Sequence, residues 1–514
     1  MDLRATRLAL FVASALCVDA AAAADLLEVY EQARMRDPQF LEAAELRTAA
    51  LEAKPQARAA LLPQVFAGGE IETRETDGSG TFLQVIDPNP GPGLDPQIEI
   101  FDVDQKVSAD TWRWQAGLRQ TVFRWDQWQR LGRADAVVAR AEAGYRAAQQ
   151  DLMLRVAQRY FDVLAAAETL RASEATLEAF TQQLAQAERR FKAGVVTVID
   201  VEEARSARDA AAANAIAAKR SLAVAGELLT ELTGELYPEL ERPGDELPAS
   251  DTERRGEQAW VDMAVDQNLA VVAARLGVDI AKRDVRIAQS GHLPTLDLYA
   301  TTGAFDESAT ETVTNRNFDL RTQGPADSDG TEDVIGLQFA VPIFTGGATR
   351  ARVREQVALH RASRQRLDGS VRAAERSTRD AYLSVVADVA RVDALRQSVA
   401  SSRSALRATE RGAEVGNRTN VDVLDARRRV FEAERDYARA RYDYLTNLVR
   451  LRAAAGSLQP ADLEAINRYL VEPVAVQPSG ACDDRAHGRA RGGARRARRG
   501  RDRHPAVPRR RAQH

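Results

Sequence analysis

Apolar positions recur along this chain with two different periods. Val163, Leu170, Leu177 and Leu184 stand seven residues apart. So do Val385, Val392, Val399 and Leu406, and then Val423, Val430, Tyr437, Tyr444 and Leu451. A sustained seven-residue repeat predicts long helices packed side by side in a left-handed supercoil. Helical patterning covers residues 26–61, 126–190, 198–232, 261–289, 348–414 and 421–455. Elsewhere the period falls to two, the mark of a strand with one apolar face. Val65, Ala67, Gly69 and Ile71 alternate with Phe66, Gly68, Glu70 and Glu72. Trp112, Trp114, Ala116, Leu118 and Val122 alternate with Arg113, Gln115, Gly117, Arg119 and Thr121. Leu296, Leu298 and Ala300 repeat the pattern, as do Ile335, Leu337, Phe339 and Val341. Four strands are expected, at about 64–75, 110–123, 294–304 and 333–343, with polar loops over 77–109 and 305–329.

The two periods occur twice in the same order. Gly194, Thr197, Asp200 and Arg205 have counterparts 222 residues later in Gly416, Thr419, Asp422 and Arg427, and the heptads of 163–184 and 385–406 keep that offset. The chain is an internal duplication of a long helical hairpin carrying a strand pair. The expected divisions are a leader at 1–24, a first repeat at 25–240, a linker at 241–256, a second repeat at 257–471 and a tail at 472–514. At each hairpin tip a glycine suits the left-handed residue that ends a helix. Thr197 and Thr419 then read as N-caps with an aspartate three residues on. Asp425 follows Asp422 by three, so both carboxylates share one helix face. Capping explains Asp200 and Asp422 but not Asp425.

Composition narrows the setting. Aromatic residues make up 6 % of the chain, which suits long helices better than a compact globule. Arg4 and Arg7 followed by an apolar run to Val18 and the small residues Ala20–Ala24 read as a secretory signal, with cleavage expected before Asp25. Leu16 is too large for a lipoprotein signal at Cys17, and Cys17 and Cys482 are the only cysteines, so no disulfide framework is expected. The net charge of −4 hides an asymmetry, because the tail from Gly480 holds 12 Arg against Asp483, Asp484 and Asp502. The body is therefore acidic, which argues against nucleic acid as its partner. The tail is expected to be disordered.

A secreted chain with four half-apolar strands points to an outer membrane, with Trp112 and Trp114 as an aromatic girdle against lipid. Four strands cannot close a barrel, and open edges cannot sit in lipid. Three copies supply enough strands to enclose a wet lumen. The fold class expected is an α+β membrane protein: duplicated long α-helical hairpins, plus four strands per protomer of a trimeric 12-stranded β-barrel. The stretch Asp327-Ser-Asp-Gly-Thr-Glu-Asp333 lacks the twelve-residue calcium pattern and is expected to be an external loop. No phosphate loop, nucleophile–base pair or metal-ligand spacing appears, so neither enzyme activity, cofactor nor metal is expected. A rival reading is a periplasmic adaptor, or a structural coiled-coil protein of an export complex. An adaptor would carry one hairpin between small β domains rather than two hairpins with strand pairs.

Gly-His-Leu-Pro-Thr-Leu-Asp-Leu298, Val-Pro-Ile-Phe-Thr-Gly-Gly347, Asn-Arg-Thr-Asn-Val-Asp-Val-Leu-Asp-Ala426 and the start Leu-Leu-Glu-Val-Tyr-Glu-Gln-Ala33 resemble the TolC family of outer-membrane channel-tunnel proteins, over 25–471. The resemblance implies a homotrimer in the outer membrane of a Gram-negative bacterium, its helical hairpins forming a long α-barrel that extends into the periplasm. It implies joining an inner-membrane ABC or RND-type transporter through a periplasmic adaptor (membrane fusion) protein, for drug efflux or type I secretion. It maps an acidic pore ring onto Asp422 and Asp425, and two partners of an entrance latch onto Asp200 and Arg418. Ile199 stands where the family has a hydroxyl residue and Ala413 where it has a tyrosine, so Arg418 and Asp200 carry more of the latch here. Repulsion around the ring is expected to raise some of its carboxyl pKa values.

Overall fold

The structure, a computed structural model, describes residues 23–87, 92, 97–244, 246–248, 255–415 and 417–476. Most of the leader with Cys17, Gly416, and the tail from residue 477 with Cys482 lie outside the described residues. Two compact units emerge, and each draws on both sequence repeats. The first takes residues 1–45, 143–272 and 369–514; the second takes 46–142 and 273–368.

The first repeat opens with helices α1 (Leu26–Arg36), α2 (Pro38–Leu51) and α3 (Ala53–Ala59). The single helix expected over 26–61 is broken at Asp37, whose extended backbone is what a following proline demands. Strands β1 (Gln64–Asp87) and β2 (Gln97–Phe123) follow, then helix α4 (Trp125–Lys192) and the returning helix α5 (Val198–Thr233). After strand β3 (Glu239–Pro243) the second repeat begins with α6 (Glu257–Gln267) and α7 (Leu269–Gln289). Here the break at Asn268 has no proline behind it. The Asn268 side chain caps α7 by accepting the Ala270 and Val271 N–H groups. Then come β4 (Thr295–Asn315), β5 (Leu320–Pro325), β6 (Ser328–Ala340), helices α8 (Ala348–Glu414) and α9 (Asn420–Ala454), α10 (Pro460–Asn467) and β7 (Leu470–Ala475).

In the second unit β1, β2, β4 and β5 lie in that order, and β6 pairs with β4 alongside β5. All pairs are antiparallel, and among the described residues β1 and the β5/β6 side have no further partner strand. The strands outrun their expected lengths. The expected loops 77–109 and 305–329 are largely ladder, and the 327–333 acidic stretch is mostly β6. In β2 the alternation runs on through Phe101, Val103, Val107 and Ala109 against Asp102, Asp104, Lys106 and Ser108, but these apolar residues are odd-numbered and so lie on the face opposite Trp112 and Trp114. Cross-strand polar pairs also support the ladder: the Thr73 and Thr81 hydroxyls donate to Asp110 and Asp102, and Lys106 pairs with Glu75. Between β5 and β6 the chain detours at Asp327, whose carboxylate accepts the Ala309 N–H.

Directly opposed residues share a face in an antiparallel ladder. One face therefore carries Val65, Leu118, Ala300 and Ile335 in a row across the sheet, with Trp114 and Trp112 further along β2. Ile335 is 82 % exposed and Trp112 50 %. The opposite face carries Glu70, Arg113, Gln115 and Glu332, with Phe66, Tyr299 and Phe305 laid over the cross-strand glycines Gly117, Gly336 and Gly330. Rings of this kind cover backbone that a glycine leaves bare. From Trp112 to Phe123 is about 35 Å of strand, which at a 45° tilt matches an apolar band about 25 Å tall.

The first unit holds the main core. Tyr30, Leu152, Tyr160, Phe161, Leu222, Leu445 and Leu463 are fully buried there. Strand β3 straddles the expected boundary between the first repeat and the linker at 240/241, and it pairs with β7 more than 200 residues away. Thus residues 472–475, assigned to the tail, are strand. Ala24, the last residue assigned to the leader, is also part of this fold: its N–H donates to the Glu239 carbonyl and its own carbonyl accepts from Glu241 N–H and the Tyr160 hydroxyl.

Asp388 of α8 is buried and accepts one hydrogen bond, from Asn447 Nδ2 at 2.7 Å. Burial pushes its carboxyl above the usual range; the Asn447 bond and Arg391 oppose the shift, while Asp443 adds to it. A carboxyl raised in the native state contributes most below its unfolded pKa of about 4, and that contribution is lost as pH rises through the native value. Asp388→Asn keeps an acceptor for Asn447 and removes the titration. The variant is expected to match the wild type in melting temperature near pH 4 and exceed it at pH 8. A constant difference across that range would show that Asp388 does not titrate in it.

Candidate functional site: the hairpin tips

Each tip belongs to the first unit and is built by local rules. At the end of α4, Gly194 takes a left-handed φ of 74°. Its N–H donates to Phe191 O, and Val195 N–H reaches back to Arg190 O at 2.9 Å, closing the terminal carbonyls. Thr197 caps α5 in a capping box: Asp200 Oδ2 accepts Thr197 N–H and Oγ1–H, both at 2.7 Å, and Asp200 N–H donates back. The second tip repeats this. Asn417 N–H reaches Gly412 O at 2.8 Å, and Thr419 N–H and Oγ1–H donate to Asp422 Oδ2 at 2.8 and 2.9 Å.

The two hairpins are also stapled alike. Arg205 pairs with Glu188 across the first, and Arg427 pairs with Glu410 across the second at 3.0 Å. Both members sit at the 222-residue offset. Sequence reading matched the arginines, but the glutamates lay within the helical pattern and carried no signal of their own. Leu184, Val201 and Ala204 close the apolar seam below the first tip.

Charge at the tips follows from the caps. The Thr197 hydroxyl and N–H hold Asp200 below the usual carboxylate range, and the Thr419 N–H and hydroxyl, with Arg418 nearby, do the same for Asp422. The expected upward shift thus has no counterpart at Asp422 within one chain, because N–H and O–H donors favour the ionised carboxylate. A depressed carboxyl keeps its capping contribution above its unfolded pKa of about 4 and loses it only as pH falls through the lower native value.

Asp425 is half exposed and lies 3.6 Å from the Arg428 guanidinium. Arg418 packs its side chain back over Gly412. Among the described residues no ion pair joins it to Asp200. The tips also expose aliphatic side chains: Val195, Val198, Ile199, Val415 and Val421. Trp112 and Trp114 stand together on the apolar sheet face. Trp125, Trp128, Phe339 and Phe344, which the girdle reading did not include, are exposed in the same unit. Among the described residues no helix is long and apolar enough to cross a membrane, and no group of side chains is arranged to hold a metal ion.

Helical hairpins paired with a sheet that is apolar on one face and polar on the other define an outer-membrane channel-tunnel. The Outer membrane efflux protein family matches residues 29–235 and 260–457. The chain is 33 % identical over 461 residues to Outer membrane protein TolC of Escherichia coli, covering 89 % of this chain and 87 % of that one. It is 28 % identical to the alkaline protease secretion protein AprF of Pseudomonas aeruginosa, covering 86 % of each. Among solved structures, the CmeC outer membrane channel of Campylobacter jejuni superposes with a TM-score of 0.64 at 17 % identity, over 87 % of this chain and 90 % of that one. The chain belongs to the outer membrane efflux protein family, the TolC-like channels, and is an outer-membrane protein that extends into the periplasm.

Proposed function

We propose that this chain is the exit duct of a tripartite export system, a homotrimer passing drugs or proteins from an inner-membrane transporter of the ABC or RND type, through a periplasmic adaptor, to the outside. The observation that carries the assembly is the pair of free edges, β1 on one side and β6 on the other. Unpaired N–H and C=O groups cannot face lipid. Three copies joined β6 to β1 satisfy them and enclose a polar lumen lined by the Glu70/Arg113 face. Relatives named for efflux and for protease secretion support export as the activity in both forms. The exposed aliphatic side chains at the tips offer a protein-binding surface of the kind an adaptor needs. The detergent-extracted protein should have the mass of three chains; a stable monomer would sink the proposal.

At the entrance, Asp422 and Asp425 form the acidic ring, and Arg418 and Asp200 of neighbouring hairpins form the latch. Stacked carboxylates at a constriction attract cations and repel anions. Asp422→Ala with Asp425→Ala should weaken cation preference and most of the block by Mg²⁺, leaving trimers intact. Because Asp422 caps α9, Asp425→Asn is the cleaner single change. A double variant with the wild-type reversal potential in a salt gradient would place the ring elsewhere. Arg418→Ala should raise single-channel conductance by weakening the closed state. Equal conductance in Arg418→Ala, Asp200→Ala and the wild type would remove the latch.

A further inference from the structure

The duplication acts as an internal control on the second tip. Features present in both repeats serve the hairpin itself: the Thr–Asp capping box and the Glu188–Arg205 and Glu410–Arg427 staples. Arg428 has no such excuse. Its counterpart at the 222-residue offset is Ser206, and it lies three residues beyond Asp425, as Asp425 lies three beyond Asp422. Residues at this spacing are neighbours on a helix surface, each about 4.5 Å further along its axis and about 60° round it. The Arg428 guanidinium sits 3.6 Å from Asp425 Oδ1 and 3.9 Å from Glu432 Oε1. Arg428 is therefore a neighbour of two acids, Asp425 and Glu432, and stands about 120° round the helix from Asp422.

We propose that Arg428 is a selectivity-determining residue of the entrance, pairing with Asp425 and so limiting the acidic ring's preference for cations. The inference rests on the reading of Asp422 and Asp425 as the pore ring. Opposite charges under 4 Å apart present a dipole, whose field at about 8 Å, the screening length in physiological salt, is far weaker than that of a lone carboxylate. Asp425 is thus largely neutralised, while Asp422 is engaged chiefly by the uncharged Thr419 donors, with Arg418 a lesser influence, and keeps its charge. A cation at the entrance therefore meets fewer effective negative charges than the carboxylates alone would present. Anionic or zwitterionic cargo faces a lower barrier than it would at an all-acid entrance.

The test compares full-length channels in planar bilayers with a KCl gradient. Arg428→Gln keeps helix propensity and length while removing the charge. It should raise the K⁺ over Cl⁻ permeability ratio by about two- to threefold, the factor expected for an exposed charge pair, and lower the Mg²⁺ concentration that halves the current. Arg428→Lys should resemble the wild type. Asp425→Asn alone, which leaves Arg428 without its Asp425 partner, should reduce the ratio below that of Asp425→Asn with Arg428→Gln. Arg429→Gln makes the same charge change one residue on and should have no effect. If Arg428→Gln matches the wild type while the Asp422/Asp425 double variant loses selectivity, the inference fails and the ring stands. If neither changes, both fail. If Arg429→Gln acts as strongly as Arg428→Gln, the effect is one of overall charge and the inference is overturned.

Discussion

Replacing Gly456 with valine is expected to remove the folded protein from the outer membrane. Gly456 follows the last turn of α9 with a left-handed φ of 76°, a conformation that costs a side chain about 1–2 kcal/mol. A Cβ at this position would lie 2.4 Å from Gln267 O, 2.5 Å from Gln267 C and 2.7 Å from Asn268 N. Those are backbone atoms at the α6–α7 junction, and the junction is held. Asn268 Nδ2 donates to Ala454 O at 2.9 Å, and Gln150 Nε2 of α4 donates to both Gly456 O and Leu458 O at 3.1 Å. Relief would require parting three segments of the core, a destabilisation of about 4 kcal/mol or more. Gly144, with open space where its Cβ would lie, is the control. Gly144→Ala should be neutral or stabilising by about 1 kcal/mol, since it sits inside a helix. Membrane yield and melting temperature decide the matter: normal yield of a Gly456→Val protein melting with the wild type would show that the junction is free to move.

Arg155→Met should be nearly as damaging. Asp37 is buried at the break between α1 and α2, where its carboxylate caps α2 by accepting Phe40 N–H at 3.0 Å. The Arg155 guanidinium meets it with two prongs, Nη2 to Oδ2 at 2.8 Å and Nη1 to Oδ1 at 3.3 Å. Taking away one partner leaves an uncompensated buried charge, which costs about 3–5 kcal/mol. Asp37→Asn retains an acceptor for the cap without the charge. Asp37→Asn combined with Arg155→Met should therefore recover much of the loss, and the double-mutant cycle should give a coupling of about 1–3 kcal/mol. A single Arg155→Met variant within about 0.5 kcal/mol of the wild type, the range of ordinary surface changes, would show the pair to be inert.

Neither residue pair announces itself in the sequence. Asp37 and Arg155 are 118 positions apart, and Gly456 reads as an ordinary helix stop. The long helices and their tips were legible because heptads, a left-handed glycine and a threonine–aspartate cap are local signals repeated at one offset. The outer parts of β1, β2 and β4 were not. In β2 the alternation changes faces there, from Phe101, Val103, Val107 and Ala109 to Trp112 and Trp114, and polar pairs such as Thr81 with Asp102 help hold the ladder. Strand β3 hid in a five-residue acidic stretch because its partner, β7, lies near the far end of the chain. The tip carboxylates were found from spacing and resemblance. Arg428 stood out only once the ion pairs of the two repeats could be set side by side.

The two open edges of the sheet also have a genetic consequence. Because β1 and β6 differ, each copy in the ring would join its neighbours head to tail. A chain damaged only on β6 would still offer a sound β1 edge, take a place in the ring and keep it from closing. In a cell making equal amounts of sound and damaged chain, about one ring in eight would contain sound copies alone. Lesions on that edge should therefore be dominant, whereas alleles that never reach the membrane should be recessive.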